Sequence, residues 1–225
     1  MAKEKINQTN VNVEEAVTKA ESFINNNKKN LLGGLAAAIL IIVGFMCYKN
    51  FISEPREVKA SEAMFKAEQL FNAGNYETAL NGDSLGLSMG FIAIADEYSN
   101  TNAGNLANAY AGISLAQLKK YEEAVKYLTD FSGDDAMIAS AVLGTLGNCY
   151  AQLGQEEKAA STLMKAASKA NNHSLSPIYL LEAGQIYEKL GNKSKAVEAY
   201  KQIKNKYFNS MQAYDIDKYI ERASL

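Results

Sequence analysis

Residues 31–48 form an uncharged, strongly apolar run that lies between Lys28-Lys29 and Lys49. At about 1.5 Å per helical residue the run spans roughly 27 Å, close to the bilayer hydrocarbon core of about 30 Å. We therefore predict one membrane-spanning helix over residues 31–52. The chain that follows must then be a domain held at a membrane surface.

Two alternatives to an uncleaved anchor are a cleaved signal and a buried helix of a soluble protein. A secretory signal has a short basic start and a cleavage site of small residues such as Ala-x-Ala. Here thirty residues precede the apolar run, and no such site follows it. The small residues that a lipoprotein signal needs before Cys47 are also missing, because Phe45 and Met46 stand there. The sequence favours the uncleaved anchor.

Residues 1–30 are predicted to be a cytoplasmic tail. Five lysines lie before the apolar run, against four lysines and arginines soon after it, which favours a cytoplasmic N-terminus and a translocated C-terminal domain. Apolar residues at helical spacing also predict a short amphipathic helix in the tail. They are Val13, Ala16, Val17, Ala20 and Ile24.

The composition favours an all-α protein without a nucleic-acid surface. The 225 residues contain two prolines and no tryptophan, and alanine is abundant, which favours helix over strand. The formal net charge of −2 provides no basic field for nucleic acid or anionic lipid. The segment after the anchor is long enough for one domain with its own core.

Three stretches of the C-terminal part repeat one pattern. Gly112, Gly147 and Gly184 occupy equivalent positions at spacings of 35 and 37 residues. Glycine inside a helix costs about 0.8–1 kcal/mol relative to alanine, so its recurrence predicts a close helix–helix approach at each site. Leu128, Leu163 and Tyr200 are predicted to pack in the second helix of each pair.

The turn between the two helices of each repeat also has a signature. Gly154 and Gly191 follow the first helix and suit a left-handed residue that ends it, whereas Lys119 departs from this pattern. About four such repeats are predicted over residues 57–225. A glycine-rich loop at residues 81–90 splits the first repeat, and residues 211–223 form an amphipathic last helix that caps the array.

These residues resemble the tetratricopeptide repeat family over roughly residues 57–207, with Ala67 and Lys119 as departures. The whole layout resembles a narrower group, the YfgM-like ancillary SecYEG translocon subunits in a Bacteroidota-like form. That resemblance rests on the tail, the anchor, the split repeat, the stretch 91–98 and the stretch 103–107. It implies an inner-membrane protein with a cytoplasmic N-terminus and periplasmic repeats, close to the translocon and to periplasmic chaperones.

No catalytic, cofactor or metal site is predicted. The only histidine, His173, lies in a polar loop, so a nucleophilic serine or cysteine would have no base and a metal no second ligand. Adjacent carboxylates such as Glu122-Glu123 fall near helix starts, where acidic residues favour the helix dipole. The sequence therefore predicts a protein that is not an enzyme.

The remaining candidate for a functional site is a groove formed by the first helices of stacked repeats, where such proteins dock peptides. The predicted groove residues are small, apolar or neutral: Leu106, Ala109, Ile113, Asn148, Gln152, Ile178, Leu181 and Gln185. A neutral groove suits an apolar segment better than a charged tail. The alternative is that these residues only pack against the chain's own last helix.

The anchor carries small residues four apart that could pack on another membrane helix: Gly33, Gly34, Ala37 and Ala38. The leading hypothesis is a non-catalytic all-α scaffold, an anchored tetratricopeptide α-solenoid that holds periplasmic chaperones or emerging chains beside the Sec translocon. Its rivals are a scaffold for outer-envelope assembly or cell division, and a structural homo-oligomer. The sequence leaves the oligomeric state and the identity of the partner open.

Overall fold

A computed structural model describes the backbone of residues 2–83 and 85–225 and the side chains of residues 15–83 and 85–225. Two compact units divide the chain, Met1–Pro55 and Arg56–Leu225. The described part is about 80% helical and contains no strand. The predicted tail helix includes Val13, whose side chain lies outside the described residues.

The first unit is a single long helix, α1 (Ala2–Tyr48), followed by a π-helical turn (Lys49–Ser53). An 18-residue window of this region has a mean hydropathy of 2.4, and none of it is buried against protein. Large apolar side chains such as Leu40 and Ile41 are 72% exposed. A helix of this length and composition can cross a membrane, although a signal sequence has the same properties.

The second unit is a succession of helices that pack on their neighbours along the chain. Their bounds are α2 Glu54–Asn72, α3 Tyr76–Asn81, α4 Phe91–Glu97, α5 Asn102–Gln117, α6 Tyr121–Asp130, α7 Ala136–Gln152, α8 Glu156–Ala170, α9 Ser176–Lys189, α10 Lys193–Lys206 and α11 Ile216–Ser224. One group of buried residues extends from α2 to α7, and another extends from α8 to α11.

The three repeated glycines lie where paired helices cross. A Cβ added at Gly112 would lie 2.5 Å from Leu128 Cγ, and one at Gly147 would lie 2.7 Å from Leu163 Cγ. At Gly184 the added atom would overlap the ring of Tyr200. The predicted close approach is confirmed at all three positions, because no side chain larger than hydrogen fits there.

Turns between paired helices use left-handed residues, as the sequence predicts. Gly154 and Gly191 both have φ of +71°, and Lys119 takes the same conformation at φ of 61°. Lysine therefore occupies a backbone conformation that disfavours side chains with a Cβ.

Replacing Lys119 by glycine is expected to raise the free energy of unfolding by about 0.5–1 kcal/mol. The left-handed conformation costs a non-glycine residue about 1–2 kcal/mol, and the greater freedom of glycine in the unfolded chain offsets part of that gain. Denaturant unfolding of the detergent-solubilised chain, followed by circular dichroism, measures the change. The matched control is Lys120→Gly, because Lys120 has φ of −89° and gains nothing from glycine. Equal effects of the two substitutions would contradict the explanation.

The segment that interrupts the first repeat is held by its own hydrogen bonds. Gly82 and Met89 form an isolated antiparallel bridge. Asp83 Oδ1 accepts hydrogen bonds from the backbone N–H groups of Leu85 and Leu87, each at 2.9 Å. Lys66 Nζ donates to the Leu87 carbonyl at 3.1 Å, which ties the segment to α2.

The last helix begins later than the sequence predicts. Residues Met211–Ala213 form a short 3-10 turn without buried residues, and α11 begins at Ile216. Ile216 and Ala223 are buried at 1% and 2% exposure, whereas Tyr214 is 91% exposed. The helix therefore starts at the first fully buried apolar side chain of this segment.

Candidate partner-binding face

The predicted groove residues differ in exposure. On α5, Leu106 and Ile113 are partly buried, whereas Ala109 is only 1% exposed and belongs to the core. Asn148 and Gln152 on α7 are exposed. On α9, Gln185 and Ile178 are exposed and Leu181 is partly buried. Ala109 therefore contributes at most the floor of a binding surface.

A cleft of about 240 Å³ opens between α5 and α7, and it brings Ala109 and Ile113 together. We call it the α5–α7 cleft. Its other lining residues are Phe71, Tyr110, Met137, Ile138 and Ala141. Leu106 lines a second cavity of about 330 Å³ with residues of α2, among them Met64, Phe65 and Glu68.

Met137 and Ile138 are functional candidates that the repeat pattern did not identify. Asp135 caps the N-terminus of α7, and its Oδ1 accepts from the Met137 N–H at 3.0 Å and the Ile138 N–H at 2.9 Å. This cap fixes where the helix begins and sets both apolar side chains at the cleft, with Met137 73% exposed. The sequence signal was an Asp followed, after one alanine, by two large apolar residues at a helix start.

An aromatic cluster forms the rigid wall of the cleft. The rings of Phe71 and Tyr110 meet edge to face, with centroids 5.1 Å apart. Tyr110 also stacks on Phe91 at 5.1 Å, and Phe91 is fully buried. Because these rings are fixed by one another, the cleft is formed before any partner binds.

The charge of this face is unusual. Helices α5 and α7 contain no Asp, Glu, Lys or Arg at all. Burial raises the pKa of the carboxyl of Glu68 on α2 and of Glu182 on α9. Burial, together with the nearby carboxylates, also raises the pKa of Tyr110 and Tyr179.

Glu188 on α9 is covered by the last helix instead. Arg222 of α11 donates two hydrogen bonds to its carboxylate, at 2.9 and 2.6 Å, and the Tyr200 hydroxyl donates a third at 2.6 Å. The Arg222 hydrogen bonds lower the pKa of Glu188, outweighing the effect of desolvation. This part of α9 is therefore closed to a partner by the chain itself.

Replacing Arg222 by leucine is expected to lower the free energy of unfolding by about 1 kcal/mol at pH 7. Because the pKa of Glu188 lies below its ordinary value of 4.5, the ion pair stabilises the fold above that pH. The difference between wild type and variant should shrink as the pH falls through the lowered pKa. Unfolding curves at a series of pH values test this.

The exposed ion pair between Lys218 and Asp215 provides the control for that series. Lys218→Leu should leave the free energy of unfolding nearly unchanged at every pH, because exposed pairs contribute little. A loss for Arg222→Leu that persists unchanged at low pH would show that packing, rather than charge, is responsible.

The described residues contain no group of three or more His, Cys, Asp or Glu that could hold a metal ion. Burial raises the pKa of the Cys149 thiol to about 11, so it is not a thiolate at neutral pH. In the anchor, a Cβ added at Gly33 or Gly34 would meet no atom within 4 Å. These two glycines are available to another helix but contact none here.

Two segments match family models described as tetratricopeptide repeat, residues 140–173 and residues 179–210. The first covers most of α7 and all of α8, and the second covers most of α9 and all of α10. These matches support a tetratricopeptide repeat protein. Such repeats typically mediate protein–protein interactions and are non-catalytic. The α5–α7 cleft lies mostly before the matched segments, next to the first of them.

Proposed function

We propose that this chain is a non-catalytic, membrane-anchored scaffold that binds protein segments on the first helices of a tetratricopeptide α-solenoid. The observation that supports it most directly is the preformed, uncharged α5–α7 cleft beside two matched repeats. In this proposal residues 31–52 span the cytoplasmic membrane, residues 1–30 are cytoplasmic, and residues 57–225 form the periplasmic repeat domain. Residues 211–223 contain its cap.

The anchor supplies the second half of the proposal. Its apolar side chains are exposed all round the helix, as a lipid-facing segment requires. Tethering raises the local concentration of the repeat domain near other membrane proteins without any new contact. The layout resembles the YfgM-like translocon subunits, so we place this scaffold beside the Sec translocon, where it would hold chaperones or emerging chains.

Site-specific photocrosslinking in cells tests this function. A photoreactive amino acid at Asn148 or Gln185 should crosslink to a chaperone or an emerging chain, and one at Gly33 should crosslink to a translocon subunit. The control position is Lys126, which is exposed on α6 outside the predicted groove. Crosslinks from the groove only to α11 would contradict the proposal. Reproducible crosslinks to outer-membrane machinery would instead favour envelope assembly.

A further inference from the structure

Among the described residues, carboxylates but no lysine or arginine line the two cavities of the partner-binding face. Neither the α5–α7 cleft nor the neighbouring 330 Å³ cavity is lined by a lysine or arginine. Basic residues are frequent on the second helices α8 and α10, and the lysines of the first helices, such as Lys66 and Lys189, line neither cavity. Any charge that a bound segment meets inside these two cavities is therefore negative.

Glu68 is a carboxylate on the apolar surface itself. It lines the 330 Å³ cavity beside Met64, Phe65 and Leu106, and its field reaches Tyr110 of the α5–α7 cleft. Among the described residues no lysine or arginine forms an ion pair with it. Its charge is thus partly desolvated without a compensating partner, which is a cost that a ligand cation can offset.

Glu182 is in a similar position on α9. It lies one helical turn from Ile178 and from Gln185, both exposed groove candidates. Its Oε2 atom is buried and has no hydrogen-bond partner in the described part of the chain. A buried carboxylate oxygen without a donor is rare, because the lost hydration is not replaced.

Two other acidic residues nearby already have partners. Glu57 accepts hydrogen bonds from the backbone N–H groups of Asn102 and Ala103, at 2.7 and 2.9 Å. Glu188 is paired with Arg222. Of the two described carboxylates that line the 330 Å³ cavity, only Glu68 is thus without such hydrogen bonds, and on α9 the buried Glu182 Oε2 also lacks a donor.

We propose that this face binds a peptide segment with apolar side chains and lysine or arginine residues, whose cations pair with Glu68 and Glu182. The apolar side chains would enter the α5–α7 cleft beside Ile113 and Met137. This inference rests on the proposed function and names the chemistry of the partner. A segment rich in Asp or Glu is disfavoured, because it would place like charges beside partly buried carboxylates.

Three labelled peptides test the proposal. They share one leucine and alanine pattern and carry two lysines, two glutamines or two glutamates, with the interval between the two positions varied. Fluorescence anisotropy measures their binding to the full chain in nanodiscs of zwitterionic lipid, with empty nanodiscs subtracted. We expect the lysine peptide to bind about tenfold more tightly than the glutamine peptide, and the glutamate peptide to bind most weakly.

Two double variants locate the effect on the protein. Glu68→Gln with Glu182→Gln should weaken the lysine peptide about tenfold and leave the glutamine peptide within about twofold. Glu122→Gln with Glu123→Gln changes the net charge equally, on the exposed start of α6, and should weaken neither peptide by more than about twofold.

The outcomes separate this inference from the function on which it rests. If lysine and glutamine peptides bind equally, and the double variant at Glu68 and Glu182 changes the affinity of neither, the face binds apolar segments and the charge inference is wrong. Equal losses of lysine-peptide affinity in both double variants would show that net charge alone causes the effect, and this result would also overturn the inference. If none of the peptides binds, and the groove positions give no crosslinks in cells, the inference and the proposed function both fail.

Discussion

Replacing Gly184 by valine is expected to lower the free energy of unfolding of the unit Arg56–Leu225 by about 3 kcal/mol. A Cβ at this position would overlap the Tyr200 ring, which is fully buried between α9 and α10. The ring cannot swing away cheaply, because its hydroxyl donates a 2.6 Å hydrogen bond to Glu188 Oε2. Thermal unfolding of the detergent-solubilised chain, followed by circular dichroism, measures the loss.

A double-mutant cycle tests whether the Tyr200 ring is the cause. Tyr200→Ala removes the ring, so adding Gly184→Val to that variant should cost less than about 1 kcal/mol. Gly44→Val in the anchor is a second control, because a Cβ at Gly44 would meet no atom within 4 Å. If valine at position 184 costs as much without the ring as with it, the steric explanation is wrong.

The close helix contacts could be predicted from sequence because only glycine meets the steric requirement at the crossing points. Gly112, Gly147 and Gly184 recur at one repeat position, and each meets a large side chain of the next helix. The left-handed turn could equally be predicted from the glycines at positions 154 and 191. Position 119 has lysine instead of glycine, so the sequence does not indicate a left-handed residue there. The backbone still takes that conformation, because packing of the helices on both sides determines it.

The binding face was harder to predict. Repeat spacing placed Ala109 and Ile113 in the predicted groove, but it did not distinguish a core alanine from a partly buried isoleucine. The spacing also missed Phe71 on α2 and Met137 at the start of α7, because their exposure at the cleft depends on tertiary packing. Periodicity assigns a residue to a face of its own helix, whereas a cavity is formed by several helices at once.

A chain that begins at Arg56 is expected to leave the membrane fraction completely. The described anchor presents large apolar side chains all round its helix, with Leu40 and Ile41 72% exposed, and these favour the bilayer interior. The unit Arg56–Leu225 has its own buried clusters, so it should remain helical without the anchor. Fractionation after alkaline carbonate extraction measures the distribution, and circular dichroism of the purified truncated chain checks its fold.

Replacing residues 31–48 by a leucine and alanine helix of equal length separates anchoring from specific packing. Such a helix satisfies the length and hydropathy of a span, so the chain should stay in the carbonate-resistant pellet. With leucine at positions 33, 34, 37 and 38 it lacks the small residues of the natural anchor, so crosslinks from the neighbouring positions to another membrane helix should be lost. Retention of the truncated chain in the pellet would show that the repeat domain has membrane affinity of its own. Crosslinks that persist in the leucine and alanine helix would show that proximity, rather than close packing on small residues, determines the neighbour.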